Sequence, residues 1–236
     1  MINVILLIFE VIFSYVFLLY TYKKYKEDGI YIWIVIAFIL SSLMCIKHIE
    51  INNINMSLGI GISSTIYIAN NILIQKKGNE YIKNNMIMLV TFSIIFVCLL
   101  ILSGGMILSD FNDITSLTYD NILFSSVKYI LANIISIIVG LYVNNYIYYQ
   151  LRKIKNKIWI SNIMSALIFT FVEVMIFMLI TNFNSSSLYV MMMSLVIRYV
   201  IKIIILILGT YVIYIANNFR ERLWKNENKE DWTCKW

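Results

Sequence analysis

The sequence has no proline, one histidine, three cysteines and few charges among its 236 residues. Without proline, any break in a helix must come from Gly, Ser or Asn. With so many Ile, Asn, Lys and Tyr residues alongside, the absence reads as compositional drift rather than design. Cys45, Cys98 and Cys234 are an odd set, two in apolar runs and one near the C-terminus. They build neither a disulfide frame nor a metal site. His48 alone cannot form a zinc centre, and neither an HExxH motif nor paired glutamates are present, which argues against an enzyme. Only 14% of the residues are charged, against about 25% in soluble domains. Water is not the solvent of this chain.

What is present is hydrophobic: 61% of the residues, where soluble domains average about 45–50%. A helix needs about 20 apolar residues to cross a hydrocarbon core of roughly 30 Å. Seven such runs are read, at Ile2 to Tyr20, Ile30 to Ile46, Leu58 to Ile74, Met86 to Ile107, Leu123 to Tyr149, Ile158 to Ile180, and Leu188 to Ala216. Lipid offers the backbone no hydrogen-bond partner, so spans are helices or closed barrels, and the alternation of barrel strands is missing. The expected fold is therefore all-α, a polytopic transmembrane helix bundle of about seven spans, a six-helix core plus one N-terminal helix. The fifth and seventh runs are long and must tilt or extend beyond the bilayer. No linker divides the chain, so residues 1–218 are expected to form one transmembrane domain and residues 219–236 a cytoplasmic tail. The first span has no basic region before it and reads as an anchor, not a cleaved leader.

Lys and Arg near span ends mark the cytoplasmic side. The loops after spans one, three and five, with the tail, carry 15 basic residues, and the opposite loops carry only Lys47. This expects an N-terminus outside, a C-terminus in the cytoplasm, and a multi-pass protein of the cell (inner) membrane. The net charge of +6 then reflects topology and implies no nucleic-acid partner.

Five charges fall inside the spans: Glu10, Lys128, Glu173, Arg198 and Lys202. Each costs about 2.5–3.5 kcal/mol at a helix centre on insertion scales, so they must face one another, a wet cavity or the interface. Glu10 stands alone in mid-span; Lys128 lies near a span end and can snorkel. In KIWISNIMSALIFTFVEVMIF (157–177), Asn162, Ser165, Phe169 and Glu173 share one helical face. Ser194, Arg198 and Lys202 share another, as do Lys128, Ala132, Ser136 and Gly140. The third run, SLGIGISSTIYIANNILI (57–74), is too polar to face lipid and is expected inside the bundle with Asn70 and Asn71. Gly59, Gly61, Gly104, Gly105, Gly140 and Gly209 are candidate flex points.

The order YIANNILIQKKGNEYIKNN (67–85), KYILANIISIIVG (128–140), QLRKIKNKIWISNIMSALIFTFVEVMIF (150–177) and SLVIRYVIKIIILILGTYVIY (194–214) resembles the queuosine precursor transporter family, also called the vitamin uptake transporters. The resemblance covers about residues 58–216, with Gly78, Lys128, Trp159, Asn162, Ser165, Tyr199 and Lys202 at matching positions. Asn71, Gln75 and Asn144 stand where acids are common in that family, Glu173 stands where it has Asp, and its usual prolines are missing. An amide cannot titrate, so proton or cation coupling through the third span does not carry over.

The resemblance implies import of 7-deazaguanine-type bases, the queuosine precursors, by alternating access, with no cofactor. A carboxylate accepts two parallel N–H bonds from a purine-like donor edge. Glu173 would read that edge, with Asn162, Asn71, Lys128, Arg198 and Ser165 as further polar contacts. Phe169 or Trp159 would stack on the ring, and Lys202 would neutralise Glu173 or donate to the ligand carbonyl. Plainer roles stand beside these: an ion pair locking spans six and seven, packing amides, a headgroup contact at Arg198, and an interfacial anchor at Trp159. The implied partners are a small purine-like molecule and the lipid bilayer, and a homodimer is among the assemblies the sequence allows. A binding subunit driven by a separate ATPase, or a non-transporting structural membrane protein, are the rival functions. Retinal on Lys202 would want a carboxylate one turn earlier, where Arg198 stands.

Overall fold

A computed structural model describes residues 2–51, 54–104, 114–154, 157–182 and 188–233. Its long elements are helices: α1 Ile2–Met44, α2 Ile60–Lys77, α3 Asn79–Gly104, α4 Ile114–Ile154, α5 Ile158–Asn182 and α6 Leu188–Thr233. Gly105 and Cys234 lie outside the described residues.

Helix α1 would run about 65 Å if straight, twice the thickness of a hydrocarbon core. It is not straight. Lys26 adopts φ 53°, ψ −131° and reverses the chain. Phe17 and Trp33, which would stand about 24 Å apart along an unbroken helix, stack with ring centroids 6.2 Å apart. Gly29 makes the reversal possible, because it is buried against the Thr21 carbonyl with no room for a side chain. The first two expected spans are thus the two arms of one folded-back helix.

Five helical stretches are long and apolar enough to cross a membrane: Asn3–Met44, Asn84–Ser103, Ser126–Ile154, Ile158–Thr181 and Met191–Phe219. The third expected span, α2, is not among them. Its Ser, Thr and Asn residues lower its hydropathy, and the fold compensates by burying residues 59–74 without a break. Helix α2 packs against α1, α3, α4 and α6, while α4 lies on α5 and α5 on α6. Ile, Leu and Phe side chains such as Phe9, Phe13, Ile94, Leu99 and Leu208 cover the outside of the bundle.

Two features depart from the expectation. Between α1 and α2 the chain forms an antiparallel hairpin, β1 (His48–Ile51) and β2 (Ile54–Ser57), with Ile51 paired to Ile54. The expected fold has only a loop there; alternation over four residues is too short a signal to separate from it. Glu10, expected to stand alone, has a partner: its carboxylate accepts the Ile62 backbone N–H at 3.3 Å. Helix α2 starts at Gly59 in the left-handed conformation, φ 92°, with no side-chain cap of its own. Glu10 from α1 supplies the acceptor that a Ser or Asp would ordinarily give.

The candidate flex points are mostly close contacts. A Cβ on Gly61 would lie 3.0 Å from the Glu10 carboxylate, and one on Gly209 would lie 2.6 Å from the Tyr15 hydroxyl. Small residues here let helices approach, as membrane packing requires.

Gly29→Ala is expected to lower stability by about 3 kcal/mol, because the obstructing atoms are backbone. Gly78→Ala has open space around it and only its backbone conformation, φ 69° and ψ −153°, to oppose it, and should cost roughly 1–3 kcal/mol. Melting midpoints of the two variants in detergent check the order.

Candidate functional site

The centre of the bundle holds an ion pair. Glu173 on α5 and Lys202 on α6 meet at 2.5 Å, with side chains 5% and 3% exposed. Both arise from apolar runs that would otherwise face lipid, and each is tolerated because the other answers its charge. The Lys202 ammonium also donates to Ser63 Oγ of α2 at 3.3 Å and stands 5.1 Å from the centre of the Tyr67 ring. Three helices are joined at one cation.

The pair leaves valences open. Glu173 Oε2 and the Tyr67 hydroxyl are both buried with no partner other than each other. Gly140 of α4 brings these two groups into one space. A Cβ there would lie 2.6 Å from the phenol oxygen and 3.1 Å from Glu173 Cβ. Buried polar atoms without partners cost about 1–3 kcal/mol each. The Tyr67 O–H can turn to Glu173 Oε2 and meet part of that need, and the carboxylate oxygen keeps a lone pair for a further donor.

Beneath this layer, Tyr67 stacks on Phe169 with centroids 4.2 Å apart and planes at 24°. Beyond the rings lies a layer of amides. Asn144 donates to Asn71 Oδ1 at 2.8 Å, Asn71 donates to Asn162 Oδ1 at 2.8 Å, and Asn162 donates to Thr210 Oγ1 at 2.8 Å. Four helices contribute, and Asn144 Oδ1 has no partner. Ser63 and Asn71 are eight residues apart on α2, so the ion pair and the amides are separated by about 12 Å. A further layer follows, in which Gln75 Nε2 donates to the Tyr148 hydroxyl and Asn217 donates to Gln75 Oε1 at 2.9 Å. Beside it Asn85 donates to Asn70 Oδ1 at 2.8 Å, and Asn70 to Asn145 Oδ1.

The sequence reading expected one cluster of site residues; the structure distributes them. Glu173, Lys202 and Phe169 sit together around Tyr67, while Asn71 and Asn162 form the amide layer. Ser165 is buried and donates back to the Asn162 carbonyl at 3.0 Å, a bond within its own helix. Arg198 is buried one turn before Lys202, its guanidinium 3.8 Å from the centre of the Phe177 ring, which lies one turn beyond Glu173. Lys128 is not brought to Glu173. It is exposed and donates to the Thr181 carbonyl at 2.8 Å, near the end of α5, where a cation answers the helix dipole. Trp159 is 47% exposed, in keeping with its reading as an anchor.

Ser63, Tyr67, Gly140, Asn144 and Thr210 were not among the expected site residues. Their signal was periodic. Ser63, Tyr67, Asn71 and Gln75 recur every fourth residue in α2, as do Ser136, Gly140, Asn144 and Tyr148 in α4. Each set lines one face.

Residues 57–216 match the family model described as "Putative vitamin uptake transporter". No curated protein and no solved structure matches the chain. The matched region contains the ion pair, the aromatic stack and the amide layers apart from Asn217, which follows it by one residue; both arms of α1 precede it.

Removing one partner of a buried ion pair costs about 3–5 kcal/mol, because the other is left charged and alone. Glu173→Gln and Lys202→Met are each expected to lose stability on that scale, and the double variant less than their sum. A double-mutant cycle of melting or denaturant midpoints checks the coupling.

Proposed function

The chain belongs to the putative vitamin uptake transporter family, and on that premise we propose that it imports a small planar nitrogen heterocycle of the 7-deazaguanine, queuosine-precursor type. The observation that carries the proposal is Glu173 Oε2, buried with no neighbour to satisfy it other than the Tyr67 hydroxyl. A guanine-like edge presents adjacent N–H donors that a carboxylate accepts in parallel, and charge-assisted bonds of this kind are the strong ones. Lys202 holds the remaining carboxylate oxygen or turns to the ligand carbonyl. The Tyr67 and Phe169 rings part to take the flat base between them, replacing one stack by two. Binding is followed by passage, with no covalent chemistry on the ligand.

Alternating access supplies the passage. The bundle crosses the membrane about seven times, the two arms of α1 and the enclosed α2 counted, with the N-terminus outside and the C-terminus in the cytoplasm. The basic residues clustered near one set of helix ends support this orientation. From Glu173 the base moves along the amide layers, where the unpaired Asn144 Oδ1 is the next acceptor. The contact of Gln75 with Tyr148 and Asn217 closes the cytoplasmic end and separates to release it. A carrier that works alone is preferred over a subunit of an ATPase-driven importer, because the polar layers form one connected route within a single chain.

Uptake of labelled 7-deazaguanine by cells lacking their own importer tests the reading. Wild type is expected to take it up, and Glu173→Gln to show about 10- to 100-fold weaker apparent affinity, the worth of one charge-assisted bond. Wild-type uptake retained in Glu173→Gln removes the binding assignment; uptake that appears only with a cytoplasmic ATPase favours the subunit. The topology has its own readout: a fluorescent reporter fused to the C-terminus should be bright, and a periplasmic phosphatase fused there inactive.

A further inference from the structure

The import route above leaves one membrane-embedded acid unused. Glu10, on the first arm of α1, is half-buried and lines a cavity of about 480 Å³ with Asn3, Lys47 and apolar walls that include Leu7, Phe13 and Met44. One of its oxygens accepts the Ile62 N–H, a donor at the start of α2 that no side chain of α2 caps. The next residue, Ser63, accepts from Lys202, which in turn holds Glu173. The first turn of α2 is therefore gripped from one side by Glu10 and from the other by the ion pair of the ligand site. Across α2 a carboxylate open to a cavity is mechanically joined to a carboxylate that is not.

We propose that Glu10 is the coupling site of this transporter and that the ligand it takes is a proton; the inference rests on the import reading. Metal cations such as calcium or magnesium require several oxygen ligands. Around Glu10 the described cavity walls offer mainly hydrocarbon, with the Asn3 amide beside it and no second carboxylate among the lining residues. A proton needs one carboxylate oxygen and no more. When it binds, one O–H bond forms, the side chain goes from −1 to neutral, and the acceptor of the Ile62 N–H loses its charge. A charge-assisted bond is about twice as strong as a neutral one, and the attraction of a carboxylate for a helix N-terminus goes with it. The start of α2 is loosened, and Ser63 moves with it relative to Lys202. That frees the ammonium to exchange Glu173 for the carbonyl of an arriving base. When the cavity later faces the other side, the proton leaves to water and α2 is capped again.

Few other charges bear on Glu10. Lys47 faces it from the segment that follows α1, and α2 faces it with the Gly61 and Ile62 backbone. Helix α6 lies against the same arm with Ile201, Ile204, Ile205 and Leu208, and the hairpin adds Ile49 to the cavity. Among the described residues that line the cavity, Lys47 is the titratable neighbour.

The test uses the full chain in phosphatidylcholine vesicles and two readouts. The first needs no substrate: amide hydrogen exchange of residues 60–63, corrected for the intrinsic effect of pH. Exchange there should rise as pH falls in wild type, should be high and independent of pH in Glu10→Gln, and should regain its pH dependence in Glu10→Asp. The second is accumulation of labelled 7-deazaguanine under an imposed inward proton gradient. Wild type should concentrate it about tenfold per pH unit for one proton per base, while Glu10→Gln still exchanges label but concentrates none. Protection in wild type that ignores pH overturns the proposal, and so does gradient-driven accumulation in Glu10→Gln or wild-type accumulation that follows sodium. Vesicles that take up no 7-deazaguanine yet show the Glu10-dependent loosening support the proton site and overturn the substrate reading instead.

Discussion

A carboxylate and an ammonium in the middle of a hydrocarbon layer can persist only in each other's company. The Glu173–Lys202 pair meets that condition, and much of the surrounding architecture follows from it. To reach each other the two residues must lie on facing sides of α5 and α6, which fixes the rotation of both helices. Lys202 has further donors to satisfy and takes Ser63, which draws α2 into the same layer. Glu173 has a further oxygen and a backbone that must sit close to α4, and Gly140 provides the clearance. Desolvation of such a pair roughly offsets its attraction, so it contributes specificity of arrangement more than stability. An apolar replacement would pack as well and fix less.

The amide layers extend the same logic without charge. Asn, Gln, Ser, Thr and Tyr can each give and receive hydrogen bonds, so a stack of them ties four helices together while staying neutral. In a medium of low polarity such bonds have few competitors, and each member orients the next. The layers are nonetheless incomplete: Asn144, Asn145 and Asn85 all retain an unused group. A wholly satisfied network would be a rigid core, whereas these layers keep three buried amide atoms without a partner.

Much of this could be read in the sequence, for identifiable reasons. Helical periodicity placed Asn162, Phe169 and Glu173 on one buried face of α5, because i, i+4 spacing needs only a helix to be meaningful. The polarity of residues 57–74 announced an enclosed helix, because nothing so rich in Ser and Asn faces lipid. What stayed hidden depended on contacts between segments distant in sequence. Nothing local to Glu10 says that its carboxylate meets an amide 52 positions away. Lys128 shares a face with Gly140, yet it stands three turns nearer the start of α4, and only the placement of α5 shows that Thr181 is its partner. Tyr67 looked like one aromatic among many until the absence of a side chain at Gly140 gave its hydroxyl somewhere to go.

The polarity of α2 also bears on how the chain is made. A segment this rich in hydroxyls and amides partitions poorly into lipid unaided, so it has to enter alongside groups that will satisfy it. Two of those groups lie on the folded-back α1: Glu10, which takes the Ile62 amide, and Trp33, whose indole donates to Thr65 Oγ1 at 3.0 Å. Both leave the ribosome before α2 does. The N-terminal helical hairpin thus serves as a template at the translocon, and transplanting it behind the other helices would strand the polar segment at the moment of insertion.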